Sequence, residues 1–240
     1  VPAWKVDVTG WQYFVSAHNG EVLFGYDHMQ AALYRLTFSA NNETILPGTL
    51  VLSEETENPA DTTLDINILD AHLYASDVYN YYMDVHGRDS WNGQGADMMS
   101  TVHYGENYVN AFWNSQQMVY GDGDNMVQDD ICGHEVTHGV IQSSASLIYA
   151  HQPGAVNEAI ADVMAYFMTQ DPTIGEGLRQ GAIRDISDPA AYGQPDHMDG
   201  YRFLPMASDN GGVHIFSGIV SHAAYLMTEG GEKSGIVVEG

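Results

Sequence analysis

The chain has 240 residues, of which 32 are acidic and 7 basic, giving a formal net charge of -25 at pH 7, and 44% are hydrophobic. That length supports one sizeable domain or two lobes with a core that needs no covalent staple, and a single cysteine, Cys132, excludes an internal disulfide. A field this negative repels phosphate backbones, which argues against nucleic acid as a partner, and no apolar run reaches the ~18 residues of a membrane span.

In chain order, WKVDVTGWQYFVSAHNGEVLFGYD alternates apolar and polar residues on both sides of Asn19-Gly20, which predicts a hairpin. ALYRLTFSANNETILPG predicts a further strand and a turn ending at Pro47-Gly48, and EETENPAD at 54–61 reads as an exposed acidic loop. From Asp70 the period changes: Ala71, Tyr74, Ala75, Val78, Tyr79 and Tyr82 recur at helical spacing until Gly87, a stripe best read as core packing. TVHYG and NAFWNSQQMVYG look strand-like, and GDGDN reads as a turn that lacks the remaining ligands of an EF-hand.

Asp129 and Asp130 can cap a helix carrying Ile131, Glu135, His138 and Ile141. A second helix is expected over 154–166, and a last one from Ser217 to about Thr228 with Ile219, Ala223, Leu226 and Met227 buried. Strands giving way to helices predict an α+β assembly, with a strand-rich lobe over 1–125 and a mainly helical lobe over 126–240.

The chemistry concentrates in GHEVTHGV at 133–140. His134 and His138 stand four apart on one helix face, a spacing at which two imidazoles converge on one Zn²⁺, and Glu135 lies one step round, suited to act as a base. The third ligand must come from elsewhere, and Glu158 in NEAIAD is placed to supply it, with Asp162 one turn on to accept a proton from a histidine's distal nitrogen. His2Glu leaves one coordination position open, which is a catalytic set. Cys132 precedes His134 by two, points away from the metal face and reads as a small buried hydrophobe.

HEVTH, NEAIAD, SDPAAYGQPDH and DNGGVHIFSGI together resemble the thermolysin-like neutral metallopeptidases, and LDAHLYASDVYNYYMDVHGR and NAFWNSQQMVYGDGD extend the resemblance over most of 36–240. It implies a secreted zinc endopeptidase acting on peptides or proteins, with His134, His138 and Glu158 as ligands, Glu135 as base and proton shuttle, and Asn157 and Asp162 orienting the two histidines. It further implies His214 with Asp209, and Tyr149, on the oxyanion side. Asn110, the Ala111 carbonyl and Arg184 would then hold the substrate main chain, and Ile131 and Ile183 would line a pocket for a large hydrophobic residue after the cleaved bond.

The chain also departs from that pattern. Thr169 stands where an acid is expected, so two calcium ions do not carry over and one remains expected, with Asp130, Asp171 and Glu176 as oxygen ligands. The opening resembles the end of the family's inhibitory propeptide and leads directly into the middle of the first lobe, while the last stretch stops before several helices of the second. These ends imply a miniature or a fragmentary member, with self-association or a companion segment covering the exposed helix face. The alternative to an enzyme is an inactive or inhibitory peptide-binding module of the same descent.

Overall fold

The computed structural model describes residues 3–8, 11–27, 33–55, 65–233 and 235–240. The alternating residues at the start form a three-stranded antiparallel sheet of β1 (Ala3–Val8), β2 (Trp11–Ser16) and β3 (Val22–Asp27). Asn19-Gly20 lies in the turn between β2 and β3, where Gly20 N–H donates to the Ser16 carbonyl and Ser16 N–H to that of Glu21. The loop predicted at 54–61 falls outside the described residues from 56 onward.

A second, five-stranded sheet is built from β4 (Arg35–Ser39), β5 (Thr49–Ser53), β6 (Met98–Tyr104), β7 (Ala111–Trp113) and β8 (Met118–Gly121), in the order β5-β4-β6-β8-β7. The three interior strands run parallel, and their Val102, Met118, Val119 and Tyr120 side chains are fully buried, as expected where both sheet faces are covered. β7 is an antiparallel edge strand of three residues, paired only with β8 among the described residues.

Helix α1 (Ile66–His86) connects β5 to β6. It starts a turn before the predicted Asp70 because Asp65 caps it, accepting the Asn67 N–H at 2.8 Å. Ala71, Ala75, Val78, Tyr79 and Tyr82 are buried against Leu52, Met98 and Met118, so the tyrosine stripe is core. Each large side chain so buried contributes about 1.5–3 kcal/mol.

The helical lobe comprises α2 (Asp129–Ser144), α3 (His151–Thr169) and α4 (Asp209–Glu229). α2 lies where the sheet lobe meets the helices: Ile131, Cys132 and Val136 join the core beneath the sheet, and Tyr82 Oη and Thr137 Oγ1 bond at 2.6 Å between α1 and α2. α3 packs between α2 and α4, and its buried positions are mostly small, Gly154, Ala155, Ala159, Ala161 and Ala165, which allows close approach. Short pairs β9 (Thr173–Ile174) with β10 (Arg184–Asp185) and β11 (Gly231–Lys233) with β12 (Ile236–Val238) complete the chain.

One predicted face is corrected. On α4 the buried residues are Val213, Phe216, Ser217, Gly218, Ile219, Ser221 and His222, whereas Ala223 and Met227 are exposed and Leu226 is half-buried. The packed seam follows α3 along the first half of the helix, and the stripe inferred from hydrophobicity runs beyond it.

Candidate metal centre

The i, i+4 spacing on α2 brings His134 Nε2 and His138 Nε2 to 3.1 Å of each other. From α3, Glu158 contributes Oε2 at 3.4 Å from His134 Nε2 and Oε1 at 3.3 Å from His138 Nε2. Among the described residues this is the one group of three His, Cys, Asp or Glu side chains whose ligand atoms lie within 4.8 Å of each other. A tetrahedral zinc with bonds of 2.0–2.1 Å separates its ligand atoms by about 3.3–3.4 Å, which is the distance at which each imidazole nitrogen stands from one of the two Glu158 oxygens.

The hydrogen bonds behind the ligands support the same fit. His134 Nδ1–H donates to Asp162 Oδ1 at 2.8 Å, and His138 Nδ1–H donates to Asn157 Oδ1 at 2.8 Å. With both outer nitrogens carrying protons, the two Nε2 lone pairs face each other and a cation between them resolves the repulsion. Glu158 Oε2 is moreover buried without a hydrogen-bond partner among the described residues. Asp162 is gripped by Arg184 through Nε at 2.9 Å and Nη2 at 2.7 Å, a two-pronged pair that is almost wholly buried.

Above the triangle opens a cleft of about 540 Å³. Glu135 faces it, half-buried, with Oε2 accepting the Trp113 backbone N–H at 2.9 Å, and burial raises its pKa against the pull of His134 and His138. The Tyr149 hydroxyl donates to Glu158 Oε1 and lies 3.2 Å from His214 Nε2. His214 Nδ1 is 2.6 Å from Asp209 Oδ1, and Asp209 Oδ2 accepts the His214 N–H at 2.8 Å. Asp209 reaches back to His214 because residues 209–212 all take left-handed φ before the regular helix begins. At Gly211 a β-carbon would strike the His151 ring, and at Gly212 that of Phe216, so only glycine fits this turn.

Asn110, Ala111, Ile131, Ile183 and Arg184 all line the same cleft. Met126, Ile174, Trp113 and Gln142 also line it and were not anticipated. Their apolar or amide chemistry carries no local signal; strand pairing of Ile174 with Arg184 and of Trp113 with Met118 brings two of them in. Asp130, Asp171 and Glu176 do not form a ligand cluster of the kind made by His134, His138 and Glu158. Asp130 instead bonds the N–H groups of Gly175 and Ile131, while Asp171 Oδ1 accepts from Thr173. Cys132 is fully buried in the core, away from the cleft.

A sheet lobe and a helical lobe joined by a helix that carries two of three metal donors define a mononuclear metal centre of the catalytic His2Glu type. The catalytic domain described as "Thermolysin metallopeptidase, catalytic domain" matches residues 15–142, and "Thermolysin metallopeptidase, alpha-helical domain" matches residues 145–240. The chain belongs to the thermolysin metallopeptidase family. It is similar to thermolysin of Bacillus sp. (strain EA1), with 43% identity over an alignment of 221 positions that covers 85% of this chain and 40% of that protein. Bacillolysin of Brevibacillus brevis is 38% identical over 273 residues, covering 96% of this chain and 50% of that protein. Among solved structures, the precursor of protealysin from Serratia proteamaculans superposes with a TM-score of 0.73 at 36% identity, covering 81% of this chain and 68% of that one. The chain thus spans 40% to 50% of the length of these curated relatives.

Proposed function

We propose that the protein is a zinc-dependent endopeptidase acting on peptides or proteins. The observation that carries this reading is the triangle of His134, His138 and Glu158 with Glu135 at the mouth of the same cleft. A zinc ion held by these three residues supplies Lewis acidity, polarising a carbonyl and making water acidic near neutral pH. Glu135 takes the proton from the attacking water and then gives it to the amine nitrogen as the C–N bond breaks, leaving a carboxylate and a free amine. Its bond from the Trp113 N–H holds the carboxylate toward the reacting atoms. Tyr149 and His214 are the donors for the oxygen that becomes negative, with Asp209 keeping the His214 Nε2 side turned to the cleft. A rotation of the Tyr149 phenol away from Glu158 makes its hydroxyl available to substrate.

The substrate main chain adds to the free edge of β7. Asn110 turns its carbonyl inward to the Gly121 N–H at 2.8 Å, whereas the Trp113 N–H points off the sheet to Glu135. Backbone groups alternate along a strand, so Ala111 presents its N–H and C=O outward beside those of Trp113. Arg184 gives Nε and Nη2 to Asp162, which leaves Nη1 as the edge facing a substrate carbonyl. Ile131, Ile174, Ile183 and Met126 form the apolar slot that favours a large hydrophobic residue after the cleaved bond.

Several further parts belong to the same proposal. The lobes divide at 1–125 and 126–240. Secretion is supported by the dispersed net charge of -25, which a salty medium screens. Self-association, or a companion segment over the helical lobe, is supported by exposed Val220 and Met227 on α4. The test is cleavage of quenched peptides by zinc-loaded protein, with chelation, zinc add-back and Glu135→Gln. Activity that returns with zinc and is lost in Glu135→Gln despite retained metal is the expected result; turnover that survives the substitution overturns the assigned base.

A further inference from the structure

We propose that Gln142 is a positioning residue for peptide binding: its side-chain amide latches the free edge of β7 onto the helix that carries the two histidines. The inference deepens the peptidase reading and rests on it. Gln142 Oε1 accepts the Trp113 indole N–H at 3.0 Å, and Gln142 Nε2 donates to the Ser115 carbonyl at 3.3 Å. One amide therefore holds the last residue of β7 and the tip of the turn that follows, and both ends of the contact line the cleft. Only a group that is acceptor and donor at once does this, which a carboxylate of the same length does not.

The helix is shaped to receive the indole. At Gly139 an added β-carbon would stand 2.7 Å from Trp113 Cζ2, so the absence of a side chain there is what lets the ring lie on α2 one turn before Gln142. The ring's other side meets Trp91 edge-on at 5.1 Å between centroids. Trp91 is itself tied to α2, because Ser143 Oγ donates to its carbonyl at 2.7 Å; Arg88 Nη2 donates to the same carbonyl at 2.9 Å and to Ser143 Oγ at 2.8 Å. Trp113 is thus fixed by its ring on one side and by its backbone N–H, given to Glu135, on the other. The edge that would pair with substrate has only three residues, so a shift at Trp113 moves Ala111 with it.

The experiment compares the zinc-loaded wild-type chain with Gln142→Leu and Gln142→Glu, reading kcat and KM on quenched peptides of increasing length together with the Trp113 indole N–H resonance. Two ordinary hydrogen bonds lost in Gln142→Leu should raise KM about three- to tenfold for peptides long enough to run along β7, with kcat changed less. The indole resonance should move upfield as its acceptor disappears. Gln142→Glu retains the acceptor and loses the donor, so it should restore the resonance and recover only part of the KM change. An unchanged KM in Gln142→Leu, or an equal fall in kcat at fixed KM, overturns the proposal. A wild-type chain that binds these peptides without cutting them removes the peptidase reading alone; the peptide Kd then replaces KM, with the same expected ratio and the same refuting result.

Discussion

Replacing Asp162 with asparagine keeps the side-chain volume and removes a charge on which two other groups depend. Asp162 Oδ1 accepts from His134 Nδ1 at 2.8 Å and from Arg184 Nη2 at 2.7 Å, and Oδ2 accepts from Arg184 Nε at 2.9 Å. All three side chains are nearly inaccessible, with Asp162 1% exposed and Arg184 12%. Removing one partner of such a buried pair leaves the other charge unpaired and costs about 3–5 kcal/mol. In a chain of this size each kcal/mol shifts the unfolding midpoint by about 2–4 °C, so Asp162→Asn should unfold about 6–20 °C lower. The loss of a fixed His134 orientation should also weaken zinc binding about 10–100-fold.

Thermal unfolding followed by circular dichroism, with zinc and with chelator, reads the first effect, and competition with a chelating dye reads the second. The pH dependence gives a further check of sign. Burial raises the Asp162 carboxyl, but Arg184 and His134 outweigh it and hold the pKa below its ordinary value. Its stabilisation is therefore fully present above about pH 3.9 and is lost as pH falls through the depressed folded pKa. The gap between wild type and Asp162→Asn should narrow only in strong acid. Equal midpoints and equal zinc affinities at neutral pH would show that neither Arg184 nor His134 depends on the Asp162 charge.

Tyr149→Phe should lower kcat about 10²–10³-fold while leaving zinc content unchanged, because the hydroxyl stabilises the developing charge and, although it donates to Glu158, is not one of the three metal donors; metal analysis beside steady-state kinetics decides this. His72 is buried, its Nδ1 lies 2.8 Å from Thr37 Oγ1, and burial followed by the Arg35 charge lowers its pKa to about 4. The neutral imidazole thus stabilises the fold fully above about pH 6.5, and up to about 3 kcal/mol is lost as pH falls toward 4, a slope in urea midpoints that His72→Asn should lack. Gly154→Ala drives a β-carbon into Val213 where α3 meets α4 and should cost about 1–3 kcal/mol in denaturant unfolding, although alanine is the better helix former.

What the sequence disclosed and what it withheld divide along physical lines. His134 and His138 could be paired, and Glu158 and Asp162 assigned to one face, because helix geometry fixes which residues share a side. The tyrosine stripe of α1 was legible for the same reason. Periodicity does not say which neighbour covers a face, so the seam of α4 was misplaced onto Ala223 and Met227. Nor does it bring together distant segments: the bond from Trp113 to Glu135 joins residues 22 apart in sequence and depends on how β7 docks against α2. The left-handed run at 209–212 was likewise hidden, since Asp209 and Asn210 adopt a conformation that side chains usually avoid.

X-ray absorption at the zinc edge of the metal-loaded chain reads the donor set of His134, His138 and Glu158 itself. The expected spectrum is that of four donors, two imidazole nitrogens with oxygen at about 2.0–2.1 Å and no sulfur, with one imidazole fewer in His138→Ala. A shell containing sulfur, six oxygen neighbours, or an imidazole count that His138→Ala does not alter would contradict it.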